Sequence, residues 1–383
     1  VFTSNERQDG QTALLAEWLK MSSTMPDAHP QGLRATLSSA VANLNPGAFS
    51  FVMGTGIVST GLYVNGAHGA SAALLWVSLV AFAVLLPAYS WRLLRWRERF
   101  FAEFLGPRSF AFLTIAIASN VVAARLVPSG HTAVAAGFLA LGASMWLFLG
   151  YSIPLGLITS TRRRPSVDQV NGTWFLWSVG ADSTAVAAAS LAHVTTGGFL
   201  PAVAAVCWAI ALVQYLLVAA IVLLRLFARP VAAGDLMTSL WIFMGAATIS
   251  VLAGARLVEL SPGSVLLPPS VLTGWSVVLW SFASWLIPLL LALGVWRHGV
   301  QKIPLRYEFG WWNLVFPIGM YGVASHELGR TTKTAWMTSL GQVEIWVAVG
   351  VWAVVTVAMA ITAVNSVVGT SRRRDASTPA GDP

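Results

Sequence analysis

In this chain of 383 residues hydrophobic types make up 56% and Asp, Glu, Lys and Arg together only 10%, with a mean hydropathy of +0.70, far from the roughly 25% charge of soluble domains. That excludes a water-soluble globular fold and leaves lipid as the main solvent, in which backbone polar groups must be satisfied inside helices or a closed barrel. The net charge of +8 is accounted for by topology and anionic lipid without a nucleic-acid partner, and a single cysteine, Cys207 in an apolar run, excludes a disulfide framework or a thiolate metal cluster within one chain.

Residues 1–44 are mostly polar, with one amphipathic stretch at 14–21, so no cleavable signal peptide is expected, and Val1 is read as a translated alternative start with Met21 the real one. Ten apolar segments follow, near 46–65, 72–91, 109–128, 133–158, 172–193, 200–226, 237–260, 269–296, 311–329 and 341–368. They lack the two-residue alternation of a barrel strand and match the length of a membrane helix. The expected fold class is therefore an all-α membrane protein of ten transmembrane helices. The expected organisation is a cytoplasmic segment over 1–44, a transport domain over 45–369 and a short, polar, disordered cytoplasmic tail over 370–383.

Basic residues collect on alternate sides of these segments. Arg92, Arg95, Arg97, Arg99 and Arg108 follow the second, Arg162, Arg163 and Arg164 the fourth, Arg225 and Arg229 the sixth, and Arg297, Lys302 and Arg306 the eighth. With Arg7, Lys20, Arg34 and the terminal Arg372, Arg373 and Arg374, 19 of the 23 Lys and Arg lie on one side, against Arg125, Arg256, Arg330 and Lys333 on the other. The positive-inside rule then puts both termini in the cytoplasm of an inner-membrane protein. The run 91–105 (WRLLRWRERFFAEFL) mixes arginine with aromatics and fits an interfacial helix.

Each odd segment opens on an aromatic followed by small residues: Phe49, Phe110, Trp174, Trp241 and Trp311, spaced by 61, 64, 67 and 70. Such a period holds two membrane helices, so the chain reads as five hairpins in series. Ala124-Arg125-Leu126-Val127 recurs as Ala255-Arg256-Leu257-Val258 in the same register, 131 residues on. In the even segments Pro87, Pro154 and Pro288 keep a register of 67 and 134 and predict repeated kinks at one depth. Gly54, Gly56, Gly180, Gly245 and Gly319 let the odd segments approach one another closely.

The run 45–59 (NPGAFSFVMGTGIVS), the opening of the ninth segment, 310–319 (GWWNLVFPIG), and 172–177 (GTWFLW) resemble the tellurite-resistance and dicarboxylate transporter family, also called the voltage-dependent anion channel family. Malate permeases, sulfite efflux pumps and the plant guard-cell slow anion channel belong to it. The resemblance covers residues 45–368. It implies five hairpins around a pseudo-fivefold central pore, odd helices lining that pore, an aromatic residue of the ninth helix plugging it, and a homotrimer. The expected activity is that of a passive channel or facilitator for small anions of the dicarboxylate, sulfite or halide class; the alternative is a proton-coupled carrier for C4-dicarboxylates such as malate, or for sulfite efflux. No enzyme activity, cofactor or metal is expected.

Phe316, directly before Pro317, is the gate candidate: its repeat counterparts are Gly54, Ile115, Val179 and Ala246, so it is the bulkiest of the five. Asp182 reads as the one carboxylate near the middle of a segment, and so either as the candidate carrier of a coupling proton or as a hydrogen-bond partner of Ser183, Thr184 or unwound backbone. Thr55, Ser59, Thr114, Asn120, Ser178, Ser183, Thr248 and Asn313 are neutral groups that can replace part of an anion's hydration, and with Gly54, Gly56, Gly319 and Asp182 they complete the pore-lining candidates. Fifteen residues beyond each leading aromatic stand Val64, Arg125, Ala189, Arg256 and His326, which predicts an outer vestibule with Arg125, Arg256 and His326 as its cations. The six histidines have no metal-ligand spacing.

Overall fold

The computed structural model describes residues 33–160, 166–195, 198–229, 238–261 and 263–375. The stretch 14–21, the basic residues Arg7, Lys20, Arg162, Arg163 and Arg164, and the tail from 376 onward lie outside them. The chain divides into two compact units, Val1–Leu44 and Asn45–Pro383. In the first, helix α1 (Leu33–Ala42) is followed by Asn43, whose side-chain amide donates to the Ser39 carbonyl at 3.0 Å.

The second unit is helical, with no strand among the described residues. Its helices are α2 (Ser50–Val64), α3 (His68–Arg95), α4 (Arg97–Phe104), α5 (Thr114–Leu126), α6 (Thr132–Thr159), α7 (Leu176–Ala192), α8 (Leu200–Ala228), α9 (Trp241–Val258), α10 (Pro269–Val295), α11 (Trp312–Thr331) and α12 (Ala335–Asp375). A helix runs through every one of the ten apolar segments. Eight are long and apolar enough to cross a bilayer. Helix α2 is apolar but only 15 residues long, and α11 carries His326, Glu327 and Arg330 in its last two turns. The interfacial run 91–105 is divided: α3 continues to Arg95, Trp96 breaks it, and α4 folds back so that Glu103 meets the buried Arg92 at 2.8 Å.

Burial separates two kinds of helix. In the apolar windows of α5, α7 and α9, 83–89% of residues are buried, against 11–44% for α3, α6, α8, α10 and α12. The outer helices leave Trp76, Phe148, Tyr151 and Trp285 exposed, a surface suited to lipid and costly in water. The inner helices pack in sequence, α2 on α5, α5 on α7, α7 on α9, α9 on α11, and α11 back on α2; each also packs on the outer helix that follows it. Small residues make this possible. A Cβ at Gly56 would lie 2.8 Å from Val121 of α5, and one at Gly245 would lie 2.9 Å from the Pro317 ring of α11. Pro87, Pro154 and Pro288 all fall inside outer helices, and α11 continues as helix through Pro317.

Four inner helices are entered through a short 3₁₀ turn, at Ser109–Leu113, Gly172–Phe175, Thr238–Leu240 and Phe309–Trp311, and α2 follows turns at 46–49. The leading aromatics of the repeat sit in or next to these turns. Two of them meet where the elements converge, Phe110 lying 5.2 Å from Trp174, and just past Trp174 and Trp241 the rings of Phe175 and Phe243 stack at 4.6 Å. Their recurrence thus marks where each inner helix begins.

Candidate functional site

At the C-terminal ends of the inner helices a cavity of about 430 Å³ is lined by residues of all five. Each helix presents a stripe at positions i, i+3 and i+7, its single inward face: 57, 60 and 64 on α2; 183, 186 and 190 on α7; 249, 252 and 256 on α9; 320, 323 and 327 on α11; and 121, 124 and 128 on and just beyond α5. The inner end is formed by Ile57, Asn120, Ser183, Ile249 and Met320. The wider end carries Tyr63, Arg125, His193, Arg256, Glu259, His326 and Glu327.

Arg125 is buried against neutral groups only. Ser59 of α2 and Ser71 of α3 bind each other reciprocally, Ser59 Oγ donating to the Ser71 carbonyl at 2.7 Å and Ser71 Oγ to the Ser59 carbonyl at 2.6 Å. Their protons being engaged, both oxygens can accept from the guanidinium. Nε donates to both at 3.1 Å, Nη2 to Ser71 Oγ at 2.7 Å, and Nη1 to Ser129 Oγ at 2.8 Å. The Tyr63 ring covers one face, 4.4 Å from Cζ. Among the described residues no carboxylate forms an ion pair with it.

Arg256, its repeat counterpart, sits in a network of charges. Nη2 meets Glu327 Oε1 at 3.1 Å and Nη1 meets Glu259 Oε2 at 3.5 Å, while Arg330 bonds both carboxylates. His193 lies 3.9 Å from Glu259 and His326 lies 3.7 Å from Glu327. Glu327 is the residue that sequence reasoning missed. It is 4% exposed, nearly as buried as Asp182. Its signal was the mirrored pair Arg256-x-x-Glu259 and Glu327-x-x-Arg330, each with helical i, i+3 spacing.

The other candidates divide clearly. Asn120 lines the cavity, its amide donating to Ser183 Oγ and Thr184 Oγ1, and Ser183 lines it too. Of the five positions fifteen residues past the leading aromatics, Val64, Arg125, Arg256 and His326 reach the cavity; Ala189 does not, and Ser190 takes its place. Thr55 accepts from the Trp352 indole of α12, so it faces outward, and Ser59 is turned to α3. Thr114, Ser178 and Thr248 donate to the carbonyl three residues back in their own turns. Asn313 is half-buried near the start of α11, far along the helix from the cavity. Gly54, Gly56 and Gly319 are packing positions: a Cβ on Gly319 would lie 3.0 Å from Ile57.

Asp182 is fully buried and does not line the cavity. Its Oδ2 accepts from Ser250 Oγ of α9 at 2.5 Å, so it ties α7 to α9. Phe316 is also fully buried, one turn before Met320 in α11 and thus just past the inner end of the cavity. Two small residues hold that turn in place: Gly54 abuts Trp312 and Val315 from α2, and Gly245 abuts Pro317 from α9. Among the described residues no group of three or more His, Cys, Asp or Glu is placed to hold a metal.

Comparison with known proteins places the chain among membrane proteins. The chain is 43% identical over 146 residues to an uncharacterised membrane protein of Mycobacterium tuberculosis, covering 38% of this chain and 74% of that one. It is 24% identical over 324 residues to an uncharacterised transporter of Methanocaldococcus jannaschii, covering 82% of this chain and 92% of the relative. A second uncharacterised transporter of that archaeon is 24% identical over 304 residues. The family model described as SLAC1, voltage-dependent anion channel, matches residues 43–360, and the chain therefore belongs to that family of membrane transporters and channels.

Proposed function

We propose that this protein is a passive channel or facilitator for small anions, and that its ten helices form five hairpins around a pseudo-fivefold pore closed by Phe316. The observation that carries the reading is the cavity shared by all five inner helices, which stops one turn short of a fully buried phenylalanine. Thr60, Asn120, Ser183 and Ser190 make its walls polar without charge. The Thr60 and Ser183 hydroxyls donate to the Gly56 and Gly180 carbonyls and the Asn120 amide to Ser183 and Thr184, so an anion passing them exchanges these weak bonds for its own and is not held too tightly to leave. Alanine, valine, isoleucine or glycine occupies the other four repeat positions at the depth of Phe316, so one ring suffices to block a narrow passage. The same proposal places both termini in the cytoplasm of a bacterial inner membrane, with the basic loops on that side, and assembles the chain as a homotrimer.

The carrier alternative has less support. It needs a titratable group alternating between the pore and a proton source; Asp182 is directed between α7 and α9, and Glu327, which does line the cavity, is held in ion pairs by Arg256 and Arg330. The test is anion efflux from liposomes holding purified protein, with chloride, nitrate, sulfite and malate in turn. Phe316→Ala is expected to raise conductance at least about tenfold, equivalent to removing roughly 1.4 kcal/mol of barrier, and Phe316→Leu to raise it less. An alanine variant that folds and conducts no better than the parent makes Phe316 a packing residue.

A further inference from the structure

The wide end of the cavity carries many charges, and most of them cancel. Arg256 and Arg330 stand against Glu259 and Glu327, two positive charges against two negative, all within ion-pair distance. Arg125 is outside that sum. Its surroundings are three serine hydroxyls and a tyrosine face, which stabilise a cation through dipoles and a π-system and subtract nothing from its charge. A guanidinium has five N–H groups. The four hydrogen bonds occupy the Nε proton, one Nη1 proton and one Nη2 proton, which leaves one N–H on each terminal nitrogen without a partner among the described residues, in a residue that lines the cavity and is 2% exposed.

We propose that these two N–H groups of Arg125 are the binding site for a single monovalent anion of the halide, nitrate or hydrogensulfite class, and that Arg256 takes no part in holding it. The proposal rests on the transport reading above and narrows its substrate. Volume does not select, because about 430 Å³ also admits a dicarboxylate. Charge does. A monovalent anion on Arg125 is balanced, whereas the second carboxylate of a dianion would meet only neutral groups or the cluster in which Arg256 and Arg330 are already paired with Glu259 and Glu327. The brace is one that arginine makes and lysine would not. A lysine ammonium has three donors on one atom and cannot reach Ser59, Ser71 and Ser129 while presenting a flat pair of N–H groups to an anion.

The experiment measures binding apart from transport. Purified protein in detergent is melted at pH 8, so that histidine charge is not a variable, at constant ionic strength set by gluconate, with rising chloride, nitrate or malate; the same samples are reconstituted for efflux. Nitrate and chloride are expected to stabilise the parent saturably, and malate only at much higher concentration. Arg125→Gln should lose the saturable shift. So should Ser129→Asp, which puts a carboxylate where Nη1 now meets a hydroxyl and cancels the charge with the arginine still present; it decides the matter if Arg125→Gln does not fold. The proposal is overturned if a folded parent shows no saturable shift, if malate saturates first, or if the shift survives in Ser129→Asp. A parent that binds nitrate but carries no anion in liposomes refutes the transport reading and leaves the site standing.

Discussion

Residues 124–127 and 255–258 are the same four residues, Ala-Arg-Leu-Val, at equivalent ends of two inner helices, yet their arginines live in opposite surroundings. Arg125 is held by Ser59, Ser71, Ser129 and the Tyr63 ring; Arg256 is held by Glu259 and Glu327. One keeps its charge available to the cavity and the other has it cancelled. The difference comes from the neighbouring helices, since α3 supplies Ser71 to the first and α11 supplies Glu327 to the second. A repeat that is symmetric in sequence thus becomes a cavity that is electrostatically one-sided.

Removing Glu327 should break the contrast most. Glu327→Gln leaves Arg256 and Arg330 facing Glu259 alone, so the wide end gains one positive charge. An added unit charge at such distances contributes on the order of 1–2 kcal/mol of attraction in a partly hydrated site, roughly tenfold in local anion concentration. Efflux at low ionic strength should rise accordingly, its salt dependence should steepen, and malate, with a second cation to meet, should compete with nitrate. Flux measured between low and high salt checks this. An unchanged salt dependence would mean that the network does not act on the passing anion.

A smaller effect is expected when both partners are removed. Arg256→Gln with Glu327→Gln takes away one charge of each sign, so nitrate affinity and salt dependence should return to parental values while stability falls; Arg125→Gln, a single change, should lose the affinity. If the double variant loses nitrate binding as fully as Arg125→Gln does, the two arginines act alike and the contrast fails. Their common register was legible in the sequence, because a four-residue repeat at a separation matching the aromatic spacing is a strong signal. So were the ten helical segments and the small residues of the inner layer. The partners were not. Ser59 reads as a pore hydroxyl until α3 is seen to bring Ser71 against it, and Glu327 reads as a helix-end charge until α9 brings Arg256 to it. Rotational phase and cross-helix pairing are tertiary facts, and one sequence with hydrophobicity on nearly every face carries little phase information.

The smallest expected effect concerns the buried acid that does not face the cavity. Sequence reasoning gave Asp182 the coupling proton because it is an ionisable group at bilayer depth, and it predicts that Asp182→Asn abolishes any proton dependence of transport. The geometry supports a different role. Asp182 bonds Ser250 across the α7–α9 contact, whereas Glu327 is the deeply buried carboxylate on the cavity wall. Asparagine keeps an oxygen that can accept from Ser250, so Asp182→Asn should fold, carry nitrate at close to the parental rate and keep whatever pH dependence the parent has. Asp182→Ala should do the same for transport but cost about 1 kcal/mol of stability, the net value of one lost hydrogen bond, since the Ser250 hydroxyl can turn to the Ala246 carbonyl at 3.2 Å. Flux and thermal unfolding measured on the two variants separate the roles. If Asp182→Asn flattens the pH profile while Glu327→Gln leaves it intact, the titrating group lies between α7 and α9, and the path of the proton must run outside the cavity that Arg125 and Arg256 share.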